Sequence, residues 1–275
     1  MNNRMPLTLP ARAAHLFAAC GLLCAWAAPA RADDEPVQLK MSGFIEAGGM
    51  HHNLSGGLGT WNGEFVRGVL QTGANNVWNA EVVNASEFGD RGVLLTAGLT
   101  HTINDDWFVS ASAATSSGGF FLPRLRMDAA INRKWLAQRQ LVTTAGLTAV
   151  DSKDGHTDRS LLLAASYYFT QPWVLEGGAR VNYSNPGGVI SNTGYVAATY
   201  GEDKRRVVSL RYGFGTEAYQ FIGDNAVLSN FHSDVWTLTW REWLAHQRGF
   251  QVRLESYRNP TYGRTGLEFS LFQDF

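Results

Sequence analysis

The feature that most constrains this chain is a two-residue alternation that recurs in short blocks from Leu39 to the last residue. A period of two sends successive side chains to opposite faces of an extended strand. Leu125, Met127, Ala129 and Ile131 share one parity, while Arg124, Arg126, Asp128 and Asn132 share the other. Trp173, Leu175, Ala179, Val181 and Tyr183 likewise oppose Glu176, Arg180 and Asn182. The closing block, Gly266 to Phe275, sets Leu267, Phe269, Leu271 and Phe275 against Glu268, Ser270 and Asp274, with Phe272 interrupting. One face of each block is apolar and the other polar. A soluble sandwich and a closed barrel in lipid both satisfy that pattern, so the separation has to come from length and connection.

The blocks number about 14, with 12–16 the range that the weaker ones allow. Most run roughly 10–12 residues, where a tilted strand needs about 9–11 to cross a bilayer. The links after blocks 2, 4, 6, 8, 10 and 12 read as short turns, such as Asn104-Asp105-Asp106. Those after blocks 1, 5, 7, 9, 11 and 13 read as longer Gly/Asn/Pro loops, the longest over 217–232; only the third link breaks the rule. Short turns at one end and longer loops at the other characterise bacterial membrane barrels. The fold predicted is all-β: an antiparallel transmembrane β-barrel, with both ends of its sheet on the periplasmic side.

The start of the chain reads differently. Arg4 and Arg12 precede an apolar run from Ala13 to Ala28, and Ala30-Arg31-Ala32 offers a small-x-small cleavage site. Residues 1–32 are expected to be a secretory signal peptide and 33–275 the barrel domain. Cys20 and Cys24 both fall in that leader, so the mature chain would carry no disulfide or thiol metal site. It would hold 20 basic and 24 acidic residues, a balance that gives no reason to expect nucleic acid. No later stretch approaches the roughly 18 apolar residues of a membrane helix.

Aromatics supply a further sign. Trp78, Trp107, Trp135, Trp173, Trp243, Phe250 and Phe275 lie beside the short turns, while Trp61, Tyr183, Tyr257 and Tyr262 lie toward the loops. Both groups are expected at the two membrane interfaces. The charged parity should then line the lumen: Arg124, Arg126, Asp128, Glu176, Arg180, Arg211, Arg241, Arg253 and Glu255, joined by Lys40, Glu46 and Glu268. Arginine at mid-membrane on the lipid face would cost about 2–4 kcal/mol. Those charges serve either as a wet lining or as a track for anionic or hydroxyl-rich solutes. Phe269, Leu271 and Phe275 resemble the C-terminal signal read by barrel-assembly machinery.

Nucleophilic catalysis would need a serine, a base and an orienting group on one face. His101 has the lipid parity, whereas Ser110 and Ser112 have that of the lumen. His232-Ser233-Asp234 alternates in direction, and His51-His52 lacks partners at metal spacing. No enzyme, cofactor or metal is expected; His232 is the least unsuitable candidate.

Phe121-Leu122-Pro123-Arg124 with the strand through Asp128, the run Tyr212-Gly213-Phe214-Gly215-Thr216-Glu217-Ala218-Tyr219, and the aromatic final strand together resemble the YaiO family of outer-membrane β-barrel proteins. The resemblance covers most of residues 37–275. It implies a single barrel in the outer membrane of a Gram-negative bacterium, in contact with lipid and lipopolysaccharide. It also implies association with envelope polysaccharide and glycosyltransferase systems. It carries over no catalytic residue, and the helical-repeat domain of some related exporters has no counterpart here. The function expected is a passive channel or assembly partner for export of a polysaccharide or another envelope component. The alternatives are a structural or surface-interaction barrel with a closed lumen and, less so, a lipid-modifying enzyme.

Overall fold

A computed structural model describes residues 41–275 apart from Gln171, Asp224 and Asn225. The expected leader, with Cys20 and Cys24, lies outside the described residues, as do Leu39 and Lys40. Fourteen strands follow in order: β1 Ser42–Leu54, β2 Thr60–Thr72, β3 Asn76–Glu87, β4 Asp90–Thr102, β5 Trp107–Gly118, β6 Pro123–Trp135 and β7 Leu141–Ser152. Then come β8 Thr157–Tyr168, β9 Trp173–Asn185, β10 Val189–Glu202, β11 Arg206–Gly223, β12 Ala226–Ala245, β13 Arg248–Arg258 and β14 Gly263–Asp274. Each pairs antiparallel with its sequence neighbours, and β1 pairs with β14 from Phe44↔Asp274 to Leu54↔Arg264. The sheet therefore has no free edge, the condition for strands to survive where no water can satisfy their backbone groups.

The alternation decides which side chain meets what. Leu147, Leu161, Leu163, Val181, Leu267 and Phe269 are each about half exposed on the outer surface, whereas Thr148, Ser160, Glu268 and Ser270, on the other parity, turn inward. Leu147 is 63 % exposed near the middle of β7. Leu147→Arg is expected to destabilise the barrel by about 2–4 kcal/mol in lipid vesicles. Urea titration followed by tryptophan fluorescence measures this; an unchanged midpoint would show that this face does not meet hydrocarbon.

Two expectations are corrected. The links at the end away from the termini are short: 55–59, 88–89, 119–122, 153–156, 186–188 and 259–262. The supposed loop 217–232 is a hairpin, since β11 and β12 keep pairing from Glu217↔Phe231 to Gly223↔Ala226. A ladder that leaves the membrane no longer needs an apolar face, so hydropathy stops marking a strand before its hydrogen bonds stop. The irregular third link is a two-residue turn, Phe88 and Gly89, both at positive φ (52° and 81°), the geometry that suits a tight hairpin.

Second, Trp61, Tyr257 and Tyr262 do not lie at the membrane surface. They are at most 3 % exposed and pack together inside the barrel with Leu54 and Val235. Their parity explains it: Trp61 shares a face with Phe65 and Arg67, and Tyr257 with Arg253 and Glu255. Trp243 also turns in, its indole N–H donating to Asp274 at 2.8 Å. Trp78, Trp135, Trp173, Tyr183 and Phe275 do stand on the outer surface, 38–55 % exposed.

Candidate functional site

The inward face divides into three zones. The first spans β12, β13, β14, β1, β2 and β3. Register sets opposite charges side by side: Glu46↔Arg67, Arg67↔Glu81 and Arg253↔Glu268. Arg67 holds Glu46 at 2.5 Å and Glu268 at 3.1 Å, with Glu81 at 3.8 Å. Glu46, 1 % exposed, also accepts from Arg241 at 2.8 Å and from the Ser270 hydroxyl at 2.6 Å. That contact reaches from β1 past two strands to β12, which only side chains on the concave face can do. The Arg241 guanidinium lies 3.6 Å from the Phe272 ring centroid, a second favourable contact. Arg264 donates twice to Glu255, at 3.0 and 2.6 Å, and sits over the Trp61 and Tyr257 rings. Charges of this kind stay buried because each is matched; losing one partner leaves the other stranded.

The second zone is the wall from β6 to β11. Arg126 makes a two-bond contact with Asp128, at 2.7 and 2.8 Å, and Thr148 donates to the same carboxylate at 2.7 Å. Arg180 donates to the hydroxyls of Thr148 at 2.9 Å and Ser160 at 2.5 Å. Arg211 lies over the Tyr195 ring, 3.5 Å from its centroid. Tyr195 itself sits directly opposite Gly178 on β9 and Gly213 on β11. A Cβ at Gly178 would come within 2.7 Å of that ring, so the absence of a side chain there lets the phenol lie against the wall. Among the described residues neither Arg180 nor Arg211 has a carboxylate within 4 Å. Glu176 accepts from Ser166 at 3.2 Å through Oε1, while its buried Oε2 accepts nothing.

The third zone is the end away from the termini. Phe121 and Leu122 of the β5–β6 link fold inward onto Phe65, Val83, Ala85, Leu94 and Ala114. Gly118 and Gly119, at φ 61° and 57°, make the reversal that puts them there. The link is fastened by Asp90, which accepts from the Phe120 backbone N–H at 2.8 Å. Lys153 donates to the carbonyls of Gly118 and Gly119 from the β7–β8 link. Burial pulls the Lys153 ammonium below its ordinary pKa. The β11–β12 hairpin is tied down as well. Glu217 accepts from Tyr257 at 2.8 Å, Gln220 donates to Tyr262 and accepts from Asn259 at 2.8 Å, and Tyr219 donates to the Pro186 carbonyl at 3.2 Å. The ring of His156, 1 % exposed, lies 5.4 Å from that of Tyr219.

Arg126, Asp128, Glu176, Arg180, Arg211, Arg241, Arg253 and Glu255 thus share the inward face. Arg124 stands apart. A register shift between Pro123 and Leu125 breaks its alternation, and it lies exposed at the rim, 3.3 Å from Asp151. Arg67, Glu81 and Arg264 belong to the charge lattice, yet hydropathy hid them: β2 carries Trp61 and Phe65 on its inner face, so both its faces read as apolar. Their parity alone would have found them. Phe269, Leu271 and Phe275 face outward, 48–59 % exposed. His101 pairs with Asn76 on the outer surface at 2.8 Å, away from Ser110 and Ser112, and His51 pairs there with Asn62 at 2.7 Å. His232 is exposed on β12, and Asp234 of the same strand accepts from Tyr212 at 3.3 Å. Among the described residues no group of three His, Asp or Glu side chains is placed to hold a metal.

A family model described as the YaiO membrane beta barrel domain matches residues 43–220. No curated protein matches. Solved structures agree in fold at low identity. The translocator domain of autotransporter NalP from Neisseria meningitidis is 13 % identical, with 96 % of each chain covered and a TM-score of 0.51. The CymD monoaromatic hydrocarbon channel is 8 % identical over 87 % of this chain and 89 % of its own, TM-score 0.59. An outer membrane channel from Pseudomonas putida is 10 % identical over 90 % and 100 %, TM-score 0.52.

Proposed function

The chain belongs to the YaiO membrane β-barrel family, and from that premise we propose that it is a passive outer-membrane channel for a hydroxyl-rich envelope component such as a polysaccharide. The observation that carries this is the β6–β11 wall. Its inner face mixes hydroxyls, amides, arginines and carboxylates with small apolar residues such as Val142, Val150 and Ala197, and Asp128, Glu176, Arg180, Tyr195 and Arg211 on it are only half-buried. An 8-strand barrel is filled by its own side chains, whereas 16–18 strands leave a channel. Fourteen strands with one wall in a tight ion lattice and the other polar and half-buried correspond to a narrow, one-sided conduit. On this reading the termini are periplasmic, and the β5–β6 link and β11–β12 hairpin close the external mouth. Solutes would meet fixed charges and donors in a low-dielectric frame, the general basis of selectivity in pores.

The packed mouth supports a second reading: a closed barrel whose external links bind a partner. Planar-bilayer recordings separate the two. The intact chain is expected to open rarely. Replacing residues 219–229 by Asn-Gly, which caps the ladder just beyond Glu217↔Phe231, should raise the open fraction at least tenfold. Silence from both proteins, with the folded barrel verified by its heat-shifted gel mobility, would leave only the closed-barrel reading.

A further inference from the structure

We infer that Arg180 and Arg211, on either side of Tyr195, form a luminal binding site for a carboxylate-bearing sugar unit. The inference deepens the channel reading and rests on solute being able to reach the lumen. Six arginines were candidates for a solute track, and the structure divides them. Arg241 is locked to Glu46, Arg126 to Asp128, Arg253 lies between Glu255 and Glu268 at 3.7 and 3.9 Å, and Arg124 is at the rim with Asp151. A guanidinium already matched by a protein carboxylate has little to offer a passing anion. Of the six, Arg180 and Arg211 have no carboxylate within 4 Å among the described residues, and each is half-buried rather than solvated.

Their surroundings define the ligand. Arg180 lies within electrostatic reach of Arg126, Arg211 and Asp128, and Arg211 of Arg253 and Glu176; with Arg126 paired to Asp128, the two guanidinium groups face one carboxylate, Glu176, and an excess of positive charge remains. Arg180 uses one nitrogen, Nη1, for Thr148 and Ser160. A planar guanidinium has five N–H donors, which leaves others for the two oxygens of a carboxylate. Register places Arg180 opposite Thr193 and Arg211 opposite Ala197, with Tyr195 between those two positions on β10. The two cations therefore stand on the strands flanking β10, at levels four residues apart, with the Tyr195 position between them. Level with Arg211 on the other side of Ala197, Glu176 Oε2 is buried and accepts no hydrogen bond among the described residues. An acceptor left open beside donors suits a sugar hydroxyl, which donates to Glu176 while the ring carboxylate takes the arginines. A sulfate or a phosphodiester would bring its oxygens toward the Glu176 carboxylate with no proton to offer it, and inorganic phosphate, though it keeps a P–OH, carries no hydroxyl set apart from its charge to span Glu176 and the arginines together. A neutral sugar would leave both guanidinium groups unmatched.

The test is isothermal titration of the detergent-purified full chain with trigalacturonate, maltotriose and inorganic phosphate. Arg180→Gln, Arg211→Gln, the double variant and the turn variant Arg139→Gln are compared, each checked for folding by heat-shifted mobility. Trigalacturonate is expected to bind at least tenfold more tightly than maltotriose or phosphate. Each lumen variant should weaken it about tenfold, the double variant should abolish it, and Arg139→Gln should leave it unchanged. No binding to the wild type, equal binding by the double variant, or a preference for phosphate would overturn the assignment. The readout needs no transport: a barrel that binds without conducting sinks the channel reading and keeps the site, while one that conducts without discriminating sinks the site and keeps the channel.

Discussion

Truncation after Tyr262, which removes β14, is expected to abolish the heat-modifiable folded band of the refolded protein. β14 pairs at eleven register positions with β1 and at eleven with β13. Without it two strand edges would face hydrocarbon, and each unsatisfied backbone group there costs several kcal/mol. Thirteen strands could re-close only by pairing β13 with β1, yet their inward charges are arranged around β14: Glu268 sits between Arg67 and Arg253, and Ser270 donates to Glu46. Semi-native electrophoresis of the truncated and intact chains decides the matter. A truncated chain that still migrates as a compact, protease-protected species would show that closure does not depend on this strand. Phe275→Ala separates closure from recognition. Its backbone N–H and carbonyl bond Gly43 at 3.0 Å, and neither bond needs the ring. That variant should refold in detergent as the wild type does, yet accumulate less in the outer membrane if assembly machinery reads the outward-facing aromatic.

The second large effect is expected at Glu46. Glu46→Ala removes the acceptor shared by Arg67, Arg241 and Ser270, and should cost about 3–5 kcal/mol, as for any buried pair stripped of one partner. Arg67 keeps Glu268, but among the described residues Arg241 keeps its ring contacts, a 3.5 Å approach to Gln251 and the more distant charge of Asp274. Ser270→Ala, which removes one donor and leaves both ion pairs, should cost about 1 kcal/mol. Urea midpoints in lipid vesicles compare the two. A Glu46→Ala loss below that of Ser270→Ala would mean that water, not Glu46, satisfies these arginines. The same experiment bears on the conduit. On the channel reading the lattice is the wall that faces the conduit from the other side, so loosening it should also broaden the distribution of pore conductances.

Much of the barrel could be read from residues alone. Blocks such as Leu125–Asn132 and Trp173–Tyr183 carry lipid on one parity and charge on the other, so strand, face and approximate number followed without any contact being known. The mouth was not legible in the same way. Phe120, Phe121 and Leu122 look like a hydrophobic loop and Glu217 to His232 like a long irregular one, because local composition does not say that a link will turn inward or that a ladder will continue beyond the bilayer. Trp61 and Tyr257 show the same limit: an aromatic near a strand end suits an interface and a plugged lumen equally well until its parity is followed.

The amino-acid order by itself determined that successive side chains must part company, grease to one side and charge to the other, because an extended backbone has a period of two and lipid rejects unpaired polar groups. Which charges cancel one another was decided only by closure and register. Bringing β1 beside β14 puts Glu46, Arg67, Glu268 and Arg241, far apart along the chain, into one lattice. The same closure leaves Arg180 and Arg211 on the far wall, where among the described residues neither forms an ion pair within 4 Å.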